Sequence, residues 1–246
     1  PVVYYNLDDG GATNQYPPEQ TAPNTCDDIT GNTCQTPNNF DGINNGATTG
    51  VTGKFSNAWD FDGSNDYVEI SDSILSGTGD FTVTAWINPD SSSGNDAFIS
   101  NYDSSGGLEF YTSSGNLKYY LTSDEQTSAI PNNQWTPVAL TRESGTITMY
   151  VSGASTLTST TGGTQDIPTS VNMRIACITN CSEIFDGQID DVSFWSRSLS
   201  SSEISSIHSG SGAEVDTLSD LSNLTAYYDF EQTSTTLENQ APQTYT

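Results

Sequence analysis

Basic residues are almost missing from this 246-residue chain. Lys54, Lys118, Arg142, Arg174 and Arg197 stand against 31 acidic residues, for a net charge of −26. That balance excludes nucleic acid as a partner, because binding it requires phosphates to be neutralised by basic groups. Anionic membrane surfaces are disfavoured for the same reason. Histidine occurs once, at His208, so catalysis by a nucleophile with a histidine base lacks its parts. No apolar run is long enough for a signal peptide or a membrane-spanning helix, which excludes direct membrane insertion. A chain that opens at Pro1 in a strand-like segment reads as processed or excised, with any anchor outside these residues. Hydrophobic residues make up only 33%, yet aromatics reach 10% and fall in alternating runs, which argues for a fold. The length suits one large β domain or two small ones.

What is present is acid, turn residues and short apolar alternation. Self-repulsion at this charge destabilises a compact state unless salt or bound cations screen it. Four cysteines form two close pairs, Cys26 with Cys34 and Cys177 with Cys181. Each pair reads as a disulfide closing a small loop, worth about 2 kcal/mol. Zinc is the competing reading, but it needs four converging soft ligands. Disulfides imply an oxidising, extracellular or cell-surface location, and the sequons at Asn180 and Asn223 point the same way.

Period-two segments dominate. They run over 66–71, 80–90, 97–103, 108–113, 117–123, 135–143, 146–153, 173–178 and 189–197. In the second of these, Phe81, Val83, Ala85 and Ile87 face one way and Thr82, Thr84 and Trp86 the other. Turn formers separate the segments, at 63–66, 113–116 and 143–145. Many short strands joined by tight turns predict an all-β antiparallel sandwich or barrel. One helix is expected over 198–210, with Ser200 and Glu203 as a capping box, Gly210 as its stop and His208 in the last turn, where its charged form would suit the dipole. Residues 10–50 and 153–172 read as long loops, and 209–224 as a linker.

The chain says its opening phrase twice. "VVYYNLDDG" at 2–10 returns as "TAYYDFEQT" at 225–233, and "EQTAPNT" at 19–25 returns as "ENQAPQT" at 238–244. Three explanations are open: the tail begins a next domain, it completes the sheet of a neighbour by strand donation, or both copies lie in one molecule. Tyr4, Tyr5, Tyr227, Tyr228 and Phe230 are the residues on which assembly would rest.

The order of phrases, "YYNLDDG", then "GKFSNAWDFDGSNDYVEI" at 53–70, "FTVTAWINPD", "NQWTPVALTRESGTITMYVSG" at 133–153 and "FDGQIDDVSFWSRSLSSSEI" at 185–204, resembles the laminin-G-like domains of the concanavalin A-like lectin/glucanase superfamily. The resemblance covers residues 2–208 and implies a two-sheet jelly roll with one short C-terminal helix. It divides the chain into a roll over 1–208, a linker over 209–224 and the repeated opening strand over 225–246. It also implies calcium where the opening strand, the "FDG" turn and the "IDD" strand meet, with Asp8, Asp62, the Gly63 carbonyl and Asp190 or Asp191 as ligands. The catalytic pattern of the family's hydrolases, two glutamates flanking an aspartate on one strand face, is missing, so no catalytic residue is expected.

Trp59, Trp86, Trp135 and Trp195 are expected in core packing, and Tyr102, Tyr111, Tyr119 and Tyr120 as exposed rings. The leading expectation is a non-catalytic extracellular structural or adhesive protein, a repeating filament subunit whose partners are copies of itself or other surface proteins. The alternative is a calcium-assisted carbohydrate-binding module with glycans as partners. A glycoside hydrolase is third.

Overall fold

The computed structural model describes residues 40–71, 74–103, 106–209, 215, 218 and 220–241. The chain divides into two compact units, residues 1–37 with 245–246 and residues 38–244. Every described residue belongs to the second. The opening strand with Tyr4, Tyr5 and Asp8, the Cys26–Cys34 pair and Gly210 lie outside the described residues.

The first strands are β1 (Gly42–Asn45), β2 (Thr48–Thr52), β3 (Asn57–Asp62) and β4 (Tyr67–Ile70). Next come β5 (Phe81–Pro89), β6 (Asn95–Ser100), β7 (Glu109–Ser113), β8 (Asn116–Tyr120) and β9 (Asp124–Ala129). β10 (Thr136–Glu143), β11 (Thr146–Val151), β12 (Ala154–Ser159), β13 (Met173–Ile175) and β14 (Asp186–Trp195) precede the helix α1 (Ser201–Ile207). β15 (Leu224–Tyr228) and β16 (Thr236–Leu237) end the fold. They make two antiparallel sheets. Sheet A has the order β16-β1-β4-β13-β6-β7-β8-β9, and sheet B the order β12-β11-β10-β5-β14-β3-β2, with β15 also paired to β14. This is the expected all-β sandwich.

The alternation in sequence becomes the two faces of each strand. Phe81, Val83, Ala85 and Ile87 of β5 lie in the core between the sheets, with Val68, Phe98, Phe110, Leu140 and Phe194. Three hairpins turn on Ser-Gly pairs with both residues at positive φ: Ser114-Gly115 (51° and 76°), Ser144-Gly145 (48° and 81°) and Ser152-Gly153 (52° and 79°). That left-handed pair matches the right-handed twist of the flanking strands, which fixes their register. Arg142 is buried, and its guanidinium donates to the carbonyls of Gly79, Gln165 and Gly77 at 2.7, 2.8 and 2.9 Å, tying two loops to the end of β10.

Several segments differ from the expectation. β12 lies inside the predicted loop 153–172, because pairing with β11 supplies the order its Ser/Thr-rich sequence does not announce. β9, with Asp124 and Glu125, is a polar strand at the edge of sheet A, where charge blocks further pairing. The predicted linker is partly core: Val215 is buried and Leu218 and Leu221 pack over the outer face of sheet B with Trp195, Leu199, Ile204, Ile207, Tyr227 and Ala241. α1 has the expected capping box, with Ser200 as N-cap and Glu203 reciprocating.

The second copy of the opening phrase is built into the sheets of this same chain. Tyr227 and Tyr228 sit opposite Ser193 and Val192 of β14. Tyr228 and Phe230 are fully buried; the Tyr228 hydroxyl donates to the Phe40 carbonyl and Phe230 meets Trp59 edge-on at 5.6 Å. The assembly residues Tyr227, Tyr228 and Phe230 are thus core residues of their own molecule.

Candidate functional site

β14 has two neighbours on one edge. β3 pairs with its first half, Asp186–Ile189, and β15 with its second, from Val192. At the split the register shifts between Asp190 and Ser193, and Asp191 takes a φ of 47°. Such a bulge re-aims side chains. Asp190 is completely buried; its Oδ2 accepts from the Phe55 N–H at 3.1 Å, and its Oδ1 has no well-formed hydrogen bond. Burial first, and then the neighbouring Asp191, pushes Asp190 up to about 8. Asp191 accepts from the Tyr227 hydroxyl. Glu231 accepts from the Asn57 N–H at 3.2 Å and from its amide at 3.0 Å, and its charge also acts on Asp190.

Aligning Tyr4-Tyr5 with Tyr227-Tyr228 puts Glu231 in the place of Asp8. Asp8 itself lies outside the described residues, and of the two similar phrases it is the second whose acid, Glu231, is described near Asp190. Asp62 and Gly63 are elsewhere: Asp62 pairs with Asp186 in the ladder, whereas Asp190 pairs with Trp86 four residues further along β14. The Asp62 carboxylate caps its own turn, accepting from the N–H groups of Ser64 and Asn65 at 2.9 and 3.4 Å. Of the described members of the expected set, Asp62 and Gly63 therefore stand apart from Asp190, and among the described residues no three His, Cys, Asp or Glu side chains converge to hold a metal ion. Near that turn Asp60, Asp62, Asp66, Asp90 and Asp186 repel one another, and burial with mutual charge raises Asp60, Asp66 and Asp186.

The outer face of sheet A carries a second polar grouping. Glu109 and Tyr111 project from β7, Lys118 and Tyr120 from β8, with Glu109 opposite Tyr120 and Tyr111 opposite Lys118. The ring of Tyr120 meets Tyr102 edge-on at 5.1 Å, and the Lys118 Nζ lies 5.9 Å from the Tyr111 ring. Over this face folds the hairpin 176–185, closed by the Cys177–Cys181 disulfide. It is pinned where Ile178 packs on Ala97 and Tyr111 and where Thr179 donates to the Tyr102 carbonyl at 2.7 Å from its hydroxyl. The hairpin brings Glu183 against Glu109, and Asp124 of β9 approaches both Glu109 and the Tyr111 hydroxyl. Burial, followed by Glu183 and Asp124, pushes Glu109 far above the usual carboxylate range. Asp96, burdened by its own burial and by Asp186 and Glu183, is pushed up to about 6.

Of the four tyrosines expected on a surface, Tyr102, Tyr111 and Tyr120 meet on this face, with Tyr111 buried there and the other two half-buried. Tyr119 instead points into the core, as its place one residue out of phase on β8 requires. Trp59 and Trp195 are fully buried and Trp86 nearly so, while Trp135 is half-buried. Glu109 is not marked in the sequence, since an isolated glutamate between apolar residues carries no motif. Its one signal was an acid in phase with Tyr111 on a strand. The sequon residues Asn180 and Asn223 are both exposed. His208 is buried and pushed down to about 4 by that burial; its Nδ1 accepts from the Gly153 N–H at 2.9 Å, so it is neutral rather than a charged partner of the helix dipole.

A family profile of laminin G type, described as the concanavalin A-like lectin/glucanases superfamily, matches residues 62–205. The chain belongs to that superfamily. This laminin-G-like chain is similar in fold to the binding domain of Paraclostridial Mosquitocidal Protein 1, at 18% identity and a TM-score of 0.56 over 74% of this chain and 48% of that one. A putative carbohydrate binding protein from Bacteroides ovatus shares 17% identity with a TM-score of 0.54, over 78% and 51%. Domain 4 of AbnA, an extracellular arabinanase from Geobacillus stearothermophilus solved with arabinotriose, shares 17% with a TM-score of 0.53, over 63% and 78%. The chain spans about half the length of the first two, and at these identities the likeness is one of fold. No curated protein sequence matches it. No helix among the described residues is long and apolar enough to cross a membrane.

Proposed function

We propose that this domain is a non-catalytic extracellular module that binds oligosaccharide on the outer face of sheet A. The observation that carries the reading is the grouping of Tyr102, Tyr111 and Tyr120 beside Glu109, Asp124 and Lys118. Aromatic rings interleaved with hydrogen-bonding groups offer a sugar both its apolar and its polar contacts. Two of the similar structures, described as a putative carbohydrate binding protein and as a domain in complex with arabinotriose, support it. Hydrolysis is disfavoured because the paired-carboxylate pattern of the family's hydrolases, two glutamates flanking an aspartate on one strand face, is missing from the sequence. The Cys177–Cys181 bridge and the exposed sequons support a location outside the cell.

Titration with arabino-, xylo- and gluco-oligosaccharides by calorimetry tests this. Tyr120→Ala is expected to weaken binding about tenfold, the worth of about 1.4 kcal/mol, without unfolding the protein. Undiminished binding in both Tyr120→Ala and Tyr102→Ala would remove this face from consideration. A calcium ion would have its protein ligands in Asp190 and Glu231 beside the turn at 53–57, where the incompletely bonded Asp190 oxygen calls for a cation. A rise in melting temperature with calcium, lost in Asp190→Asn, is the matching measurement.

A second reading, assembly into a cell-surface filament by strand donation, is favoured by the first copy of the phrase. Tyr4, Tyr5, Leu7 and Ala22 repeat the residues with which Tyr227, Tyr228, Phe230 and Ala241 fill their slot. Polymer seen in electron micrographs, and lost on deletion of residues 1–25, is the result expected of it. Monomer under all conditions counts against it.

A further inference from the structure

Glu109 and Glu183 present acceptor to acceptor. Glu109 is about 5% exposed, and its Oε1, like the Oε2 of Glu183, is buried without an N–H or O–H donor from the protein. A carboxylate pair in that position is satisfied in one of two ways, by a proton held between the two groups or by a donor brought from outside. The available cations are engaged elsewhere. Arg174 is held by Glu69 at 2.6 Å and by the carbonyl of Thr179, and Lys118 leans on the Tyr111 ring. Around the pair stand Tyr102, Tyr111 and Tyr120, whose ring faces attract cations, and Asp124 at the exposed side.

We infer that this carboxyl pair is a subsite for the ammonium group of an amino sugar, so that the oligosaccharide favoured by this face carries free amines. The inference rests on the glycan-binding reading of the same face and names its ligand class. An ammonium group donates to both carboxylates at once and replaces the shared proton, which leaves for solvent. A neutral hydroxyl satisfies one carboxyl and leaves the other as it was, while a uronic acid or sialic acid adds a further negative charge to a site that already holds three carboxyls. Because the proton on Glu109 must depart, affinity for an amine rises with pH across the range in which burial, Glu183 and Asp124 hold Glu109 protonated. Tyr102 and Tyr111, both raised by burial, stay neutral throughout that range.

Calorimetric titration of the full chain with chitobiose and with its fully deacetylated form, at 0.3 M salt and at pH 6 and 8, tests the inference. The free diamine is expected to bind at least tenfold more tightly than the acetylated sugar at pH 8, with a smaller advantage at pH 6. Glu109→Gln is expected to reduce that preference below threefold, and Glu183→Gln to act in the same direction. Glu143→Gln, an exposed glutamate on the opposite sheet, controls for attraction to net charge and should leave the preference unchanged. Equal affinities for the two sugars, or equal effects of Glu109→Gln and Glu143→Gln, would overturn the subsite while leaving sugar binding intact. Binding of neither sugar, with Tyr120→Ala indistinguishable from the native chain, would overturn the subsite and the glycan reading together.

Discussion

Truncating Phe230 to alanine asks whether the tail copy of the repeated phrase is structural in its own molecule. Phe230 is completely buried, sits edge-on to Trp59 at 5.6 Å and holds a φ of 54°. The next residues fasten the tail, since the Trp59 Nε1–H donates to the Gln232 carbonyl at 2.8 Å and Asn57 donates to Glu231. Alanine keeps the left-handed backbone cost and loses only the ring, so the change reads packing alone. Removal of a buried phenylalanine costs about 3–5 kcal/mol, which lowers the melting temperature of a domain this size by roughly 10 °C. Urea unfolding should show the midpoint falling with an unchanged slope. The same truncation at Leu7, its counterpart in the first copy, should leave the midpoint within about 0.5 kcal/mol if the tail alone fills the slot. A loss under about 1 kcal/mol at Phe230, or a larger loss at Leu7, would falsify the cis-docked arrangement.

Three smaller perturbations bear on the electrostatics and the helix. Glu109 is raised in the fold above its ordinary 4.5, so the native state binds the extra proton and stability declines as pH rises above that value; Glu109→Gln should flatten the decline and gain on the order of 2 kcal/mol at about pH 9, and a difference independent of pH would contradict it. His208 is lowered to about 4 from 6.5, so its contribution is full above 6.5 and is lost as pH falls through 4, up to about 3 kcal/mol. His208→Asn should remove that acid-side slope, as read from urea midpoints between pH 7 and 4. Ser200→Ala deletes the N-cap that accepts from the Glu203 N–H at 3.3 Å and should cost about 1 kcal/mol, whereas no change in thermal midpoint would mean that packing of Ile204 and Ile207 alone holds α1.

The strands most legible in the sequence were those with one face in the core. β5 displays Phe81, Val83, Ala85 and Ile87 at every second position, and that pattern survives intact in the sandwich. β12 and β9 were not legible, because they are edge strands whose residues face solvent on most sides, and their order comes from the neighbour they pair with. The three Ser-Gly hairpins illustrate the opposite case. Two of them lie in turns that the sequence marks directly, since glycine with a small polar residue supplies the left-handed pair. Tyr119 and Tyr120 differ by one position and go to opposite faces, a distinction that the run "KYY" does not contain until the register of β8 is set.

Sequence by itself determined an all-β antiparallel sandwich or barrel and the cap of α1, because alternation, turn chemistry and capping are local and each is written in a few adjacent residues, while the resemblance carried by the order of its phrases implied the family and with it two sheets. Tertiary structure alone decided that Tyr227 and Tyr228 of the second phrase pair with β14, and so that Glu231 stands near Asp190. It also decided that Glu109 and Glu183, 74 residues apart in the chain, meet under one hairpin among three tyrosines. Burial and the approach of distant charges set the chemistry of those acids, and neither quantity exists until the chain has closed on itself.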